Sequence, residues 1–324
     1  MAFSKDVLNL DCAQETERIV AKLREQVLGT LKRKGLIVAL SGGIDSSVVG
    51  GLAVRAFGKE KVFGLQLPEK ENSDDTRNLS ALMCKHYGIA FAVEEMSALL
   101  EGARAYGRRD EAIKTAIPGY GPGWKSKIVL PSVVDTDSYR VFSVVAQDPE
   151  GKEHRARLPL EGYLGIVAAT NFKQRCRKML EYYHADRLNY AVAGTPNLVE
   201  YDQGFFVKLG DGAADVKPIA HLYKSQVYAM AEYLGVPEEV RRRPPTTDTY
   251  SLPQSQEEFY YSLPYDKMDL ALYAKNHGVS AAEAGPVLGI SAEQVERVYR
   301  DIEGKRAFAK YLHAAPMLVA EPKG

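Results

Sequence analysis

Residues 36–47 read LIVALSGGIDSS, and the fold turns on this stretch. Leu36 to Leu40 form a continuous apolar run of strand length, the pattern of a strand covered by helices on both faces. The turn SGG follows, and from Asp45 to Phe57 the chain reads as a helix. A strand running through a glycine turn into a helix gathers unpaired N–H groups and the positive end of the helix dipole at one point, where phosphate oxygens are held. Gly42 and Gly43 let the backbone approach closely, and Ser41, Ser46 and Ser47 add hydroxyl donors. The loop is neither GxxxxGK[ST] nor GxGxxG. Taken alone, SGG also fits an ordinary turn, with Asp45 as an early helix residue.

Working outward, Thr16 to Lys32 carries Ile19, Val20, Leu23, Val27, Leu28 and Leu31 at helical spacing, which predicts a helix with one buried stripe. Val62 to Leu67 reads as a second strand. Ser73 caps a helix running to Tyr87, and Ile89 to Val93 is a third strand. Strands alternating with helices imply an α/β fold with a doubly wound, Rossmann-like parallel sheet and a ligand crevice at the carboxyl ends of its strands. Arg108 to Lys127 shows no periodicity and reads as a long loop. Tyr139 to Gln147 and Lys152 to Leu158, separated by DPEG, read as an inserted β-hairpin. Beyond it come a long helix from Leu160 to Ala185, a short strand from Tyr190 to Ala193 and a helix from Leu222 to Leu234. A proline- and threonine-rich loop follows Arg243, and then helices near Asp266 to Lys275, Ser280 to Leu288 and Ser291 to Arg300. The expectation is one domain over 1–324, with 108–158 as an insertion and 258–324 as a helical tail.

A chain of 324 residues with 45% hydrophobic content can bury a substantial core. Its 42 basic and 42 acidic residues cancel, so no global field favours nucleic acid or an anionic membrane. Cys12, Cys84 and Cys176 form no CxxC pair, which suits a reducing compartment. The start MAFSKDVLNLDC has no basic segment followed by an apolar one, and no run of eighteen apolar residues occurs. These features predict a soluble, cytoplasmic protein.

The loop resembles the SGGxDS pyrophosphate loop of the N-type ATP pyrophosphatases, the adenine nucleotide alpha-hydrolase-like superfamily. A second block, from Asn171 to Val227, contains a basic helix followed by GTPNLVE, GFFVKLGDGAAD and a later lysine. Together these resemble the ammonia-dependent NAD synthases. The resemblance implies ATP contacts at Ser41, Gly42, Gly43, Ile44, Asp45, Ser46, Thr195, Lys224 and Thr246. It implies Mg2+ at Asp45 and Glu200, and a dinucleotide substrate at Arg175, Lys208 and Asp215. Asp45 and Lys224 would be the catalytic pair, with the lysine stabilising the departing pyrophosphate. Several also have a plain reading: Arg175 on a solvated helix face, Lys224 as an unremarkable helix residue, Glu200 on the surface.

The implied reaction is a ligase step. Nicotinic acid adenine dinucleotide is adenylated by ATP, pyrophosphate leaves, and ammonia displaces AMP to give NAD. A separate glutamine amidotransferase is an alternative nitrogen source, and a homodimer is the implied assembly. The family's carboxyl-terminal His-Lys pair has no clear counterpart, although Lys305, Lys310 and His313 lie in its neighbourhood. The same chemistry on a different carboxylate, or a silent nucleotide-binding protein, are the competing expectations. A tRNA-modifying enzyme is disfavoured by the balanced charge and the missing CxxC.

Overall fold

The computed structural model describes residues 3–72, 74–130, 142–244, 250–254, 260–261 and 263–320. Its strands are β1 (Leu36–Ala39), β2 (Val62–Gln66), β3 (Ala90–Val93), β4 (Lys125–Val129), β5 (Ser143–Gln147), β6 (Glu153–Arg157) and β7 (Ala191–Val192). The helices of the first half are α1 (Cys12–Arg24), α2 (Ile44–Phe57), α3 (Asp74–Tyr87), α4 (Ser97–Gly102) and α5 (Ala105–Lys114). The second half adds α6 (Leu160–Leu188), α7 (Leu198–Gln203), α8 (Lys224–Tyr233), α9 (Glu238–Arg241), α10 (Tyr265–Asn276), α11 (Ala281–Leu288) and α12 (Ala292–His313).

The main sheet is parallel, in the order β3-β2-β1-β7. The chain therefore steps outward from β1 to β3 and later returns to the other side of β1. That reversal makes the gap beyond β1 and β7 the switch point at which α/β sheets bind ligands. Alternation along β1 separates two cores. Leu36 and Val38 join Ile19, Val20, Val48, Leu52 and Val227 under α1, α2 and α8, while Ile37 joins Leu65, Ala185 and Val192 under α6. Both faces of the strand are covered, which is why its sequence is apolar throughout. A third core, including Met268, Leu272, Leu288, Val298 and Ile302, unites the carboxyl-terminal helices.

The stretch from Arg108 to Lys127 is not a long loop. Its first part belongs to α5, whose inward residues Tyr106, Arg109 and Ile113 lie at helical spacing. The pattern was hidden because Arg109 is buried as one half of an ion pair with Glu71 at 2.7 Å. Its last part enters β4, where the inward position next to Ile128 is a serine, Ser126, within 3.2 Å of the Tyr120 hydroxyl. The expected hairpin exists as β5 and β6, and β4 pairs antiparallel with β5 to make a three-stranded sheet. Tyr139 to Val141 and Ser73 lie outside the described residues. The last helix continues past Arg300 to His313, held by Lys305–Asp301 at 2.7 Å and by Arg306 on Asp202 at 2.9 Å. Gly304 within it lowers helix propensity without preventing these contacts.

Candidate active site

Beyond β1 the chain turns through Ser41, Gly42 and Gly43 into α2. Gly42 has φ +74°, and a Cβ there would meet Leu79 Cβ at 2.7 Å, so the turn beside α3 admits only glycine. Hydroxyls close the loop: Ser46 Oγ donates to the Gly43 carbonyl at 3.0 Å, and the Gly43 N–H donates to Ser41 Oγ at 3.3 Å. Ser47 is fully buried and donates to the same carbonyl at 2.9 Å, while the Ile44 side chain enters the core. Of the loop residues, Ser41, Gly43, Asp45 and Ser46 line a cavity.

Asp45 stands in the first turn of α2, and Glu200 in the first turn of α7. Asn197 caps α7 by a reciprocal box. Its Oδ1 accepts the Glu200 N–H at 3.2 Å, and its own N–H donates to Glu200 Oε2 at 3.2 Å. The Asn197 side-chain amide then donates to Asp45 Oδ1 at 3.2 Å. The residue that starts α7 thus ties both carboxylates together. Lys224, the first residue of α8, is 1% exposed, and its ammonium pairs with Asp45 Oδ2. Asp269 on α10 holds that helix end by accepting the N–H groups of Lys224 at 3.1 Å and Ser225 at 2.6 Å.

Burial and the neighbouring Asp45 carboxylate push Glu200 up to about 8. Burial alone would lower Lys224, but Asp45 and Glu200 outweigh it and hold its pKa above the ordinary value. Burial likewise raises Asp269 to about 6, against the pull of its amide donors.

Two cavities meet at this point. A smaller one of about 410 Å³ lies over the ends of β1 and β2, and a larger one of about 1080 Å³ extends over α6, α7 and α12. Ser41, Gln174, Thr195 and Asp211 line both. Arg175 and Lys208 line the larger one; Arg175 Nε donates to the Lys208 carbonyl at 3.3 Å, and Lys208 Nζ donates to the Tyr311 carbonyl at 2.8 Å. Asp215 lines neither. Its carboxylate accepts the Val192 N–H at 2.8 Å and the Tyr182 hydroxyl at 3.3 Å, which seats it beside β7. Thr246 lies outside the described residues. Of Lys305, Lys310 and His313, only Lys305 lines either cavity.

Sequence reasoning missed Asn197, Asp269 and the buried Lys178–Glu181 pair at 2.7 Å beside the smaller cavity. Asn197 was legible as an N-x-x-E capping box; Asp269 carries no local signal.

Among the described residues, no group of three or more His, Cys, Asp or Glu is gathered to hold a metal. Asp45 and Glu200 nevertheless suit magnesium, which is commonly held by one or two carboxylates together with substrate phosphates. Two crowded carboxyl groups, one holding its proton because it is buried and because the other is close, would both be relieved by a cation.

The NAD synthase family model matches residues 15–115 and 156–309. An NH(3)-dependent NAD(+) synthetase of Rhizobium meliloti is 57% identical over 319 residues, covering 98% of this chain and 95% of the relative. One from Thermotoga neapolitana is 31% identical over 288 residues, covering 89% and 91%. In fold, the chain resembles an NMN synthetase from Francisella tularensis, with TM-score 0.66, 21% identity and coverage of 96% and 99%. An NH3-dependent NAD synthetase from Campylobacter jejuni gives TM-score 0.63 at 20% identity, covering 96% and 100%.

Proposed function

Because this chain belongs to the NAD synthase family, we propose that it amidates nicotinic acid adenine dinucleotide to NAD with ATP and ammonia. It is a ligase that forms a C–N bond and releases AMP and pyrophosphate. The observation that carries the residue assignments is the convergence of Asp45, Glu200 and Lys224, from three separate helices, beside the SGGIDS loop.

The smaller cavity suits the nucleotide of ATP, and the larger one, with Arg175 and Lys208, suits an anionic acceptor. Loop N–H groups at the start of α2 hold phosphate where the two cavities meet. The acceptor carboxylate attacks the α-phosphorus, the bond to the bridging oxygen breaks, and pyrophosphate leaves. Lys224, kept protonated by its carboxylate neighbours, offers its ammonium to the charge that develops on the departing oxygens. Ammonia then adds to the activated carbonyl, the C–O bond to AMP breaks, and the nitrogen loses a proton to leave the amide. Asp45 and Glu200 would hold magnesium, whose charge neutralises phosphate oxygens. The assembly that fits is a homodimer: Leu160, Leu164, Met179 and Tyr183 leave apolar surface exposed along α6.

The test measures AMP, pyrophosphate and NAD formed from ATP, magnesium and ammonium, with and without nicotinic acid adenine dinucleotide. Equal, acceptor-dependent yields are expected, with kcat lowered on the order of a hundredfold or more in Lys224→Ala. Pyrophosphate release that ignores the acceptor, or none at all, would refute the reading.

A further inference from the structure

The family model passes over residues 116–155, which contain β4, β5 and most of β6. Ile128, Val144 and Ala146 of this sheet share a core with Ile113 of α5 and Ile166 of α6. The sheet is therefore seated on the same helix that carries Arg175. Its edge reaches the larger cavity. Leu130, just past β4, and Phe142, just before β5, line it together with Tyr163 of α6, and Asp45 and Glu200 line the same space. The Phe142 and Tyr163 rings stack with centroids 4.0 Å apart and planes at 15°, and both side chains are half-buried.

The reacting carboxylate has to lie against the phosphate loop, where the lining residues are small or polar. Of the aromatic residues that line the cavity, Phe142 comes from the added sheet, and its ring, stacked on Tyr163 at the sheet's edge, suits the part of the acceptor that extends away from the loop. A flat ring pair in a cavity that also contains Arg175 and Lys208 matches a molecule with both phosphates and a second aromatic base. Resting on the amidation reading, we propose that the inserted sheet is a specificity-determining wall of the acceptor site. In it, Phe142, backed by Tyr163, stacks on the base of the acceptor's non-reacting nucleotide.

The experiment compares wild type, Phe142→Ala, Phe142→Tyr and Ile128→Ala. It measures KM for nicotinic acid adenine dinucleotide and for ATP, the inhibition constant of nicotinic acid mononucleotide as a competitor, and Tm. Loss of one stacked base predicts a roughly 5- to 20-fold rise in dinucleotide KM for Phe142→Ala. The ATP KM, the kcat and the mononucleotide constant should stay near wild type, and Phe142→Tyr should restore the dinucleotide KM. Ile128→Ala, which loosens the sheet's interior without touching the cavity, should lower Tm and leave both KM values in place. An unchanged dinucleotide KM in Phe142→Ala, an equal loss for the mononucleotide, or the same KM shift in Ile128→Ala would overturn the wall while leaving the amidation standing. Absence of wild-type turnover with the dinucleotide would overturn both.

Discussion

Asp45 and Glu200 share a buried corner with the Lys224 ammonium, and one cation does not balance two ionised carboxylates. Burial first, and the Asp45 carboxylate second, keep the proton on Glu200 up to about 8 in the folded, ligand-free protein, against an ordinary value of 4.5. Between those two values the folded state binds a proton that the unfolded chain has released, so stability falls as pH rises through that window and levels off above it. Glu200→Gln removes the titration. Thermal melts from about pH 5 to about pH 9 should show the wild type losing stability relative to the variant as pH rises. Parallel curves would rule out a protonated Glu200. Asp45 and Glu200 were legible as candidates in the SGGIDS and GTPNLVE motifs, through the family resemblance. The Asn197 bond that joins them was not, because it crosses 152 residues of chain.

Elements are docked here by charge as well as by apolar contact. Glu71 receives both Arg109 of α5 and Lys173 of α6, at 2.7 Å and 2.6 Å, and Lys173 also reaches Glu69 at 3.0 Å. Burial would raise Glu71, but these two cations overcome it and hold its pKa below the ordinary value. Arg109→Met strips one partner from a buried carboxylate and should cost about 3–5 kcal/mol in chemical denaturation. A loss below about 1 kcal/mol, the scale of an exposed pair, would show that the cluster is solvated. The same burial hides α5 in the sequence: an inward arginine breaks the apolar period that marks a helix. β4 was missed for a parallel reason, since Ser126 occupies an inward position and its backbone N–H is satisfied by Ser251 at 2.9 Å, far along the chain.

At the scale of the molecule, the apolar residues left exposed on α6 should be covered by a second copy. Light scattering at micromolar concentration should give twice the 35.8 kDa of one chain, and Leu164→Glu with Tyr183→Glu should halve it. A monomeric wild type would exclude that assembly. No helix among the described residues is long and apolar enough to cross a membrane. By itself the sequence determined the parallel α/β sheet and the glycine turn that joins β1 to α2. Those depend on local rules: apolar runs for covered strands, glycine where φ is positive, and capping residues at helix starts. Only the tertiary structure decided that Lys224 pairs with Asp45, that Lys305 lines the cavity and Asp215 does not, and that the added sheet brings Phe142 to the same space. Such convergence depends on how distant elements pack. Their buried polar groups are satisfied by partners that no local pattern names.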